Sequence, residues 1–153
     1  MFTSWLHLLA LTVYFGAILG LWVLVLSPLA TISSHNDRLA FLIKSLKIYN
    51  PLQIGALGVL IMTGAFQLTD LKQSYGPEFT KAMGATLALK LSLAFVVIIT
   101  STYQSMGLAH RFVRQAEQPE TISDEKLTST IRRLKVSTIM IFLLALATIL
   151  VAI

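Results

Sequence analysis

The chain has 153 residues, 56% of them hydrophobic and 12% charged, with no cysteine and a formal net charge of +5. A soluble domain of this length needs far more polar surface to cover its core, so a water-soluble globule is excluded. The absence of cysteine excludes disulfides, thiolate metal sites and thiol catalysis.

Four apolar stretches, about 2–28, 51–70, 82–108 and 136–153, reach the roughly 20 residues that a helix needs to cross a hydrocarbon core about 30 Å thick. Transmembrane β-strands would be about half that length and would alternate in hydrophobicity. Within lipid the helix is the remaining way to satisfy backbone hydrogen bonds locally. The expected fold class is therefore all-α: an integral membrane four-helix bundle forming one domain over 1–153.

The first stretch lacks a basic n-region and is too long for a signal peptide, which makes it a retained helix. It carries Gly16 and Gly20 as a GxxxG pair, and His7 and Tyr14 on one face. In the connector that follows, Leu39, Leu42, Ile43 and Leu46 keep helical spacing, with Asp37, Lys44, Ser45 and Lys47 on the other side. This predicts an amphipathic helix, capped by Asn36, lying along the cytoplasmic interface between spans one and two. Pro51 is expected near the first turn of the second span, where its missing N–H costs little. That span carries Gln53 and Gln67 on one stripe, with Leu60 and Gly64 between them.

Tyr75-Gly76-Pro77 signals a turn into the third span. There Gly84, Ala88 and Ser92 form a ladder of small residues, and Thr86, Lys90, Ser101 and Gln104 form a polar stripe. The third connector has Pro119 as a breaker and Ser123 as a cap, from which a helix can run into the fourth span with Ser137 and Thr148 aligned. No internal repeat or low-complexity tract is visible.

Placing the charges turns an overall basic composition into a topology. Arg38, Lys44 and Lys47 lie in the first connector, and Arg111, Arg114, Lys126, Arg132, Arg133 and Lys135 in the third. Only Lys72 and Lys81 lie on the other side. This asymmetry makes connectors one and three cytoplasmic and both termini outward. The basic residues then meet anionic headgroups, and no nucleic-acid partner is implied.

Intramembrane polar residues carry the functional information, because lipid tolerates them only when they face the bundle interior. Antiparallel order gathers His7, Gln67, Lys90 and Thr148 at an outer level, and Gln53, Gln104 and Ser137 at an inner one. An outer-leaflet pocket built around His7 and Lys90 is the candidate site. The same residues have bland readings: His7 beside Trp5 as part of an aromatic belt, and Lys90 snorkelling outward or paired with Asp70. His35 and His110 are expected to be solvated in the connectors.

Trp5-Leu6-His7-Leu8-Leu9-Ala10, Met62-Thr63-Gly64, Leu87-Ala88-Leu89-Lys90-Leu91 and the basic Arg111/Arg114 segment resemble the copper-resistance-D (CopD)-like superfamily, which includes the HemJ-type proteins, along nearly the whole chain in helix order. The resemblance implies a histidine on helix one and a lysine on helix three as recurrent positions, matched here by His7 and Lys90. It implies haem b for HemJ-type members and copper uptake for CopD members. An arginine late in helix one and a histidine in helix three, both HemJ features, are unmatched: Leu21 to Leu29 holds no arginine, and Tyr103-Gln104 stands in helix three. These departures weigh against protoporphyrinogen oxidation.

Three functions compete. The first is a haem b or redox-associated membrane protein or subunit, with His7 as metal ligand and Lys90, Gln67, Met62 and Tyr14 as further cofactor-binding residues. The second is transport of copper or another small ligand, against which the scattering of Met62, Met83, Met106 and Met140 counts. The third is a non-catalytic accessory subunit of a homo-oligomer or larger membrane complex. A stand-alone enzyme is not expected, since no nucleophile–base pair or acidic pair lies in the membrane. The expected location is a bacterial inner membrane, crossed several times, with both termini on the periplasmic side.

Overall fold

The computed structural model describes residues 2–118 and 122–151, without the side chains of residues 80, 82 and 83. Pro119, residues 152 and 153 of the fourth span, and the Met83 side chain lie outside the described residues. Helix α1 (Phe2–Gly20) continues through a π-helical segment at Leu21–Leu26 and a 3-10 turn at Pro28–Thr31. Helix α2 runs from His35 to Tyr75. After a 3-10 turn at Gly76–Glu78, α3 (Phe79–Thr102) passes through a second π-helical segment, Tyr103–His110, into α4 (Arg111–Ala116). Helix α5 spans Asp124–Leu150. Among the described residues, four helices are long and apolar enough to cross a membrane, and there is no strand.

Neighbours in the bundle form a ring: α1 packs on α2 and α5, and α3 on α2 and α5. Side chains with polar ends bridge the middle, while Phe95, Ile99 and Leu143 face outward. The turn expected at Tyr75-Gly76-Pro77 is present. Gly76 ends α2 with φ +51°, a left-handed conformation that side chains with a Cβ disfavour. Ser123 caps α5 as expected, accepting the Lys126 N–H at 3.3 Å, and Asp124 and Glu125 favour the positive end of the helix.

Three local expectations change. The cap of α2 is Ser34, whose hydroxyl accepts from the Asp37 N–H, because Asn36 already lies inside the first turn. Pro51 falls in the interior of a 41-residue helix instead of near its start, and is exposed there. Its ring leaves the Lys47 carbonyl without a helical donor, a loss tolerated on the solvent- or lipid-facing side. Finally, the segment expected to lie along the interface as a separate helix is the first part of α2. At 1.5 Å per residue α2 is about 60 Å long, twice the hydrocarbon thickness.

The amphipathic stripe that suggested an interfacial helix is satisfied by protein instead of lipid. Leu42 and Leu46 are buried with Leu21, Val25, Leu29, Phe112, Leu127 and Leu134 in one apolar cluster, and Leu39 and Ile43 pack against it. Two polar contacts cross its rim, a His35–Asp124 hydrogen bond at 2.9 Å, which is an ion pair when the imidazole is protonated, and an exposed Lys47–Glu117 ion pair at 2.5 Å. His35 is thus paired, not merely solvated. The Lys47 ammonium, by hydrogen bond and then by charge, holds the Glu117 carboxyl below its ordinary range. Such exposed pairs orient connectors more than they stabilise them.

Packing is uneven along the bundle. Above the first cluster sits a second, around Tyr14, Ile18, Leu57, Val97 and Ile141. Beyond Ala10, Thr63 and Ala145, toward the Gly76 turn, no described residue is fully buried, and none of α3 before Val97 is. The basic end is close-packed and the opposite end is open.

Gly20 fits the closest helix approach: a Cβ there would stand 2.8 Å from Tyr49 Cε1, whereas one at Gly16 meets nothing within 4 Å. Only one glycine of the GxxxG pair therefore serves packing. Gly20→Val is expected to destabilise the bundle by roughly 1–3 kcal/mol through overpacking. Gly16→Val should change stability by no more than about 0.5 kcal/mol. Thermal unfolding in detergent compares the two, and equal losses would contradict this packing.

Candidate functional site

Two polar levels sit inside the apolar bundle. The inner level centres on Gln104, 2% exposed at the start of the second π-helical segment. Its amide donates to Thr138 Oγ1 at 2.5 Å and to the Leu134 carbonyl at 3.4 Å, and its carbonyl accepts from Gln53 Nε2 at 3.4 Å. Beside it the Tyr14 hydroxyl is hydrogen-bonded to Ser101, and Ser105 donates to Asn50 Oδ1. Every membrane helix contributes a side chain. The only buried side-chain polar atom without a partner, among the described residues, is Arg38 Nε at the basic end. A network so fully satisfied binds the helices to one another and offers no free group for chemistry.

The outer level is built differently. His7 Nδ1 lies 2.8 Å from Thr63 Oγ1, joining α1 to α2. The Thr63 hydroxyl is also 2.7 Å from the Val59 carbonyl and 3.2 Å from that of Leu60, and its single proton can go to a helix carbonyl or to the imidazole. With the proton on the imidazole side, Nδ1 is the acceptor; with it on a helix carbonyl, the hydroxyl accepts from His7 Nδ1–H. A neutral imidazole held this way presents Nε2 with its lone pair free, the arrangement in which histidine ligates metals. Gly64, next to Thr63, leaves the ring edge uncovered: a Cβ there would reach to 3.6 Å from His7 Cε1.

Lys90 lies in the first half of α3. It is exposed on α3 and forms no ion pair with Asp70, the two ion pairs among the described residues lying at the other end. Gln67, half-buried, is one turn beyond Thr63 on the same face of α2.

The remaining expected site residues lie elsewhere. Tyr14 is two turns from His7, buried in the inner network. Met62 is 63% exposed on the outer surface of α2, not turned to the histidine. Thr148 bonds the Leu144 carbonyl of its own helix at 2.8 Å. At the inner level Ser137 likewise bonds its own helix, at Leu134, and the neighbouring Thr138 takes its expected place.

Sequence spacing overlooked Thr63, Thr138, Asn50 and Ser105. Thr63 lies four residues before Gln67 and so shares its stripe, a signal obscured because a threonine hydroxyl so often bonds its own helix. Among the described residues no group of three or more His, Asp or Glu side chains could hold a metal ion. Comparison with known protein families, with curated proteins and with solved structures finds no match for the chain.

Removing the Gln104 amide strands Gln53 and Thr138 together, so Gln104→Leu is expected to cost about 1–2 kcal/mol, the upper range for membrane hydrogen bonds. Ser137→Ala, which loses only a bond within its own helix, should cost less than about 0.6 kcal/mol. Reversible unfolding in mixed micelles distinguishes them, and similar values would remove Gln104 from the centre of the network.

Proposed function

We propose that the chain is a haem b-binding or redox-associated subunit of a bacterial inner-membrane complex, with His7 Nε2 as the atom that would hold the haem iron. The observation that carries this reading is the 2.8 Å contact of His7 Nδ1 with Thr63, which fixes the ring and, with the Thr63 proton on the Val59 carbonyl, would leave Nε2 free to ligate. The donor set favours haem over a bare metal ion. A porphyrin brings four nitrogens and needs one or two protein ligands, whereas an isolated ion asks three or four side chains to converge. His7 is alone in that role, so copper transport is the weaker alternative.

Haem supplies one-electron chemistry when bound. The chain's own residues would hold it: Thr63 would orient the imidazole plane, and the Lys90 ammonium would offer a positive charge to an anionic ligand edge. Gln67 adds amide donor and acceptor capacity at the same level. Tyr14 and Met62 have no part in this site.

The distribution of basic residues supports an orientation with both termini periplasmic, which puts His7 in the outer leaflet. A further observation favours a subunit over a protein acting alone. On α3 the side chains of Thr86, Lys90 and Ser92 are exposed at the depth of the membrane. Polar groups facing lipid are costly there, which favours a partner chain covering this face.

Absorption spectroscopy of the protein purified from haem-replete cells tests the reading. A Soret band is expected, lost in His7→Ala. Thr63→Val should weaken haem retention by about 10–100-fold, the usual effect of removing a partner that orients a metal-bound histidine. Wild-type protein without a Soret band, or His7→Ala with an unaltered spectrum, would overturn it.

A further inference from the structure

A groove of about 510 Å³ runs between the second π-helical segment and α5, far from His7, lined among others by Tyr103, Leu108, Arg132, Arg133, Val136 and Met140. Its two walls have different origins. In an α-helix, residues five apart such as Tyr103 and Leu108 point to widely separated faces. The wider turn of the π-helix, closed by i→i+5 hydrogen bonds, brings them to one side. Gly107 shapes the same wall, since a Cβ there would come within 3.1 Å of the Tyr103 ring.

On the opposite wall the groove changes character along α5. Along α5 the apolar run of the fourth span begins at Val136, one turn after Arg132 and Arg133. Arg132 and Arg133 therefore stand at headgroup depth, with Val136 at the edge of the apolar region and Met140 one turn into it. Both arginines are exposed, and neither has an acidic partner among the described residues, whose two ion pairs engage His35 and Lys47. Two unpaired guanidinium groups at the mouth and an apolar trough beneath them match one molecular shape.

We propose that this groove is a binding site for an anionic phospholipid, with the phosphate at Arg132 and Arg133 and an acyl chain over Leu108, Val136 and Met140. The guanidinium fork suits a phosphate better than it suits any neutral headgroup. A free phosphate would satisfy the arginines but leave the trough without an occupant. Basic pockets between membrane helices bind anionic headgroups by this combination of charge and apolar contact. The site is independent of His7 and of any cofactor there.

Native mass spectrometry of the full chain, purified in mild detergent and offered phosphatidylglycerol or phosphatidylcholine, tests the proposal. Wild type should retain one phosphatidylglycerol per chain in preference to phosphatidylcholine. Arg132→Gln/Arg133→Gln should lower that retention by about tenfold or more. Met140→Trp, which fills the trough and leaves every charge in place, should lower it too and carries the test if the double variant fails to fold. Lys126→Gln/Lys135→Gln, an equal loss of charge on α5 outside the groove, should retain the lipid. Equal losses in the two double variants, equal retention of the two lipids, unchanged retention in Met140→Trp, or displacement of the lipid by inorganic phosphate alone would overturn the proposal.

Discussion

Gln104 is the side chain on which the arrangement of the bundle depends. In a bilayer the hydrophobic effect does not draw one apolar helix to another, because lipid tails are as apolar as leucine. What selects one arrangement is the set of polar groups that must find each other. Gln104 reaches α2 through Gln53 and α5 through Thr138, and Tyr14 with Ser101 ties α1 to the same helix one turn away. The ring order of the helices follows, since these bonds form only when the four stripes converge. The network therefore specifies register more than it adds stability, and its members are poor candidates for chemistry because each is already satisfied.

From that level the molecule diverges in two directions. Toward the basic end, α2 and the α3–α4 extension continue past the hydrocarbon thickness and bury Leu42, Leu46, Phe112 and Leu127 against one another. This cluster is the kind that water drives together, and it clamps one end of the bundle. Toward the Gly76 turn the helices lack such contacts, and His7, Lys90 and Gln67 stand where side chains are half-buried or exposed. A rigid base and an open far end suit a site that admits a ligand or a neighbouring chain. Local opening is cheapest where buried apolar contacts are fewest.

The architecture was legible because lipid imposes simple rules. Block length gave the four helices, and polar spacing brought Gln53 and Gln104 to one level. The failures have equally definite causes. Leu39, Leu42, Ile43 and Leu46 announced an apolar face but not what would cover it: an interface and a packed core leave the same periodicity. Pro51 read as a helix start because proline is common there, yet the long α2 tolerates it on an exposed side. Tyr14 and His7 share a face, but a stripe does not reveal depth, and two turns separate a satisfied phenol from an imidazole with a free nitrogen. Thr138 displaced Ser137 because neighbouring hydroxyls differ by about 100° in direction, a distinction that helix–helix rotation decides.

Lys90 sets the sharpest constraint on what the open end does. It lies six residues into the apolar span that begins at Gly84, or about 9 Å at 1.5 Å per residue, in the outer part of a 30 Å core. A lysine at the centre of a membrane helix costs about 2.5–3.5 kcal/mol on insertion scales, and one nearer the surface costs part of that. No carboxylate among the described residues is paired with it. An anionic ligand held at His7, or an acidic side chain on a covering subunit, would remove much of that cost on binding. Each 1.4 kcal/mol of such relief is a factor of ten in affinity. The uncompensated charge is thus a reason for the site to favour a negatively charged occupant. The same charge disfavours a bare copper ion, whose own positive charge would add to that of Lys90.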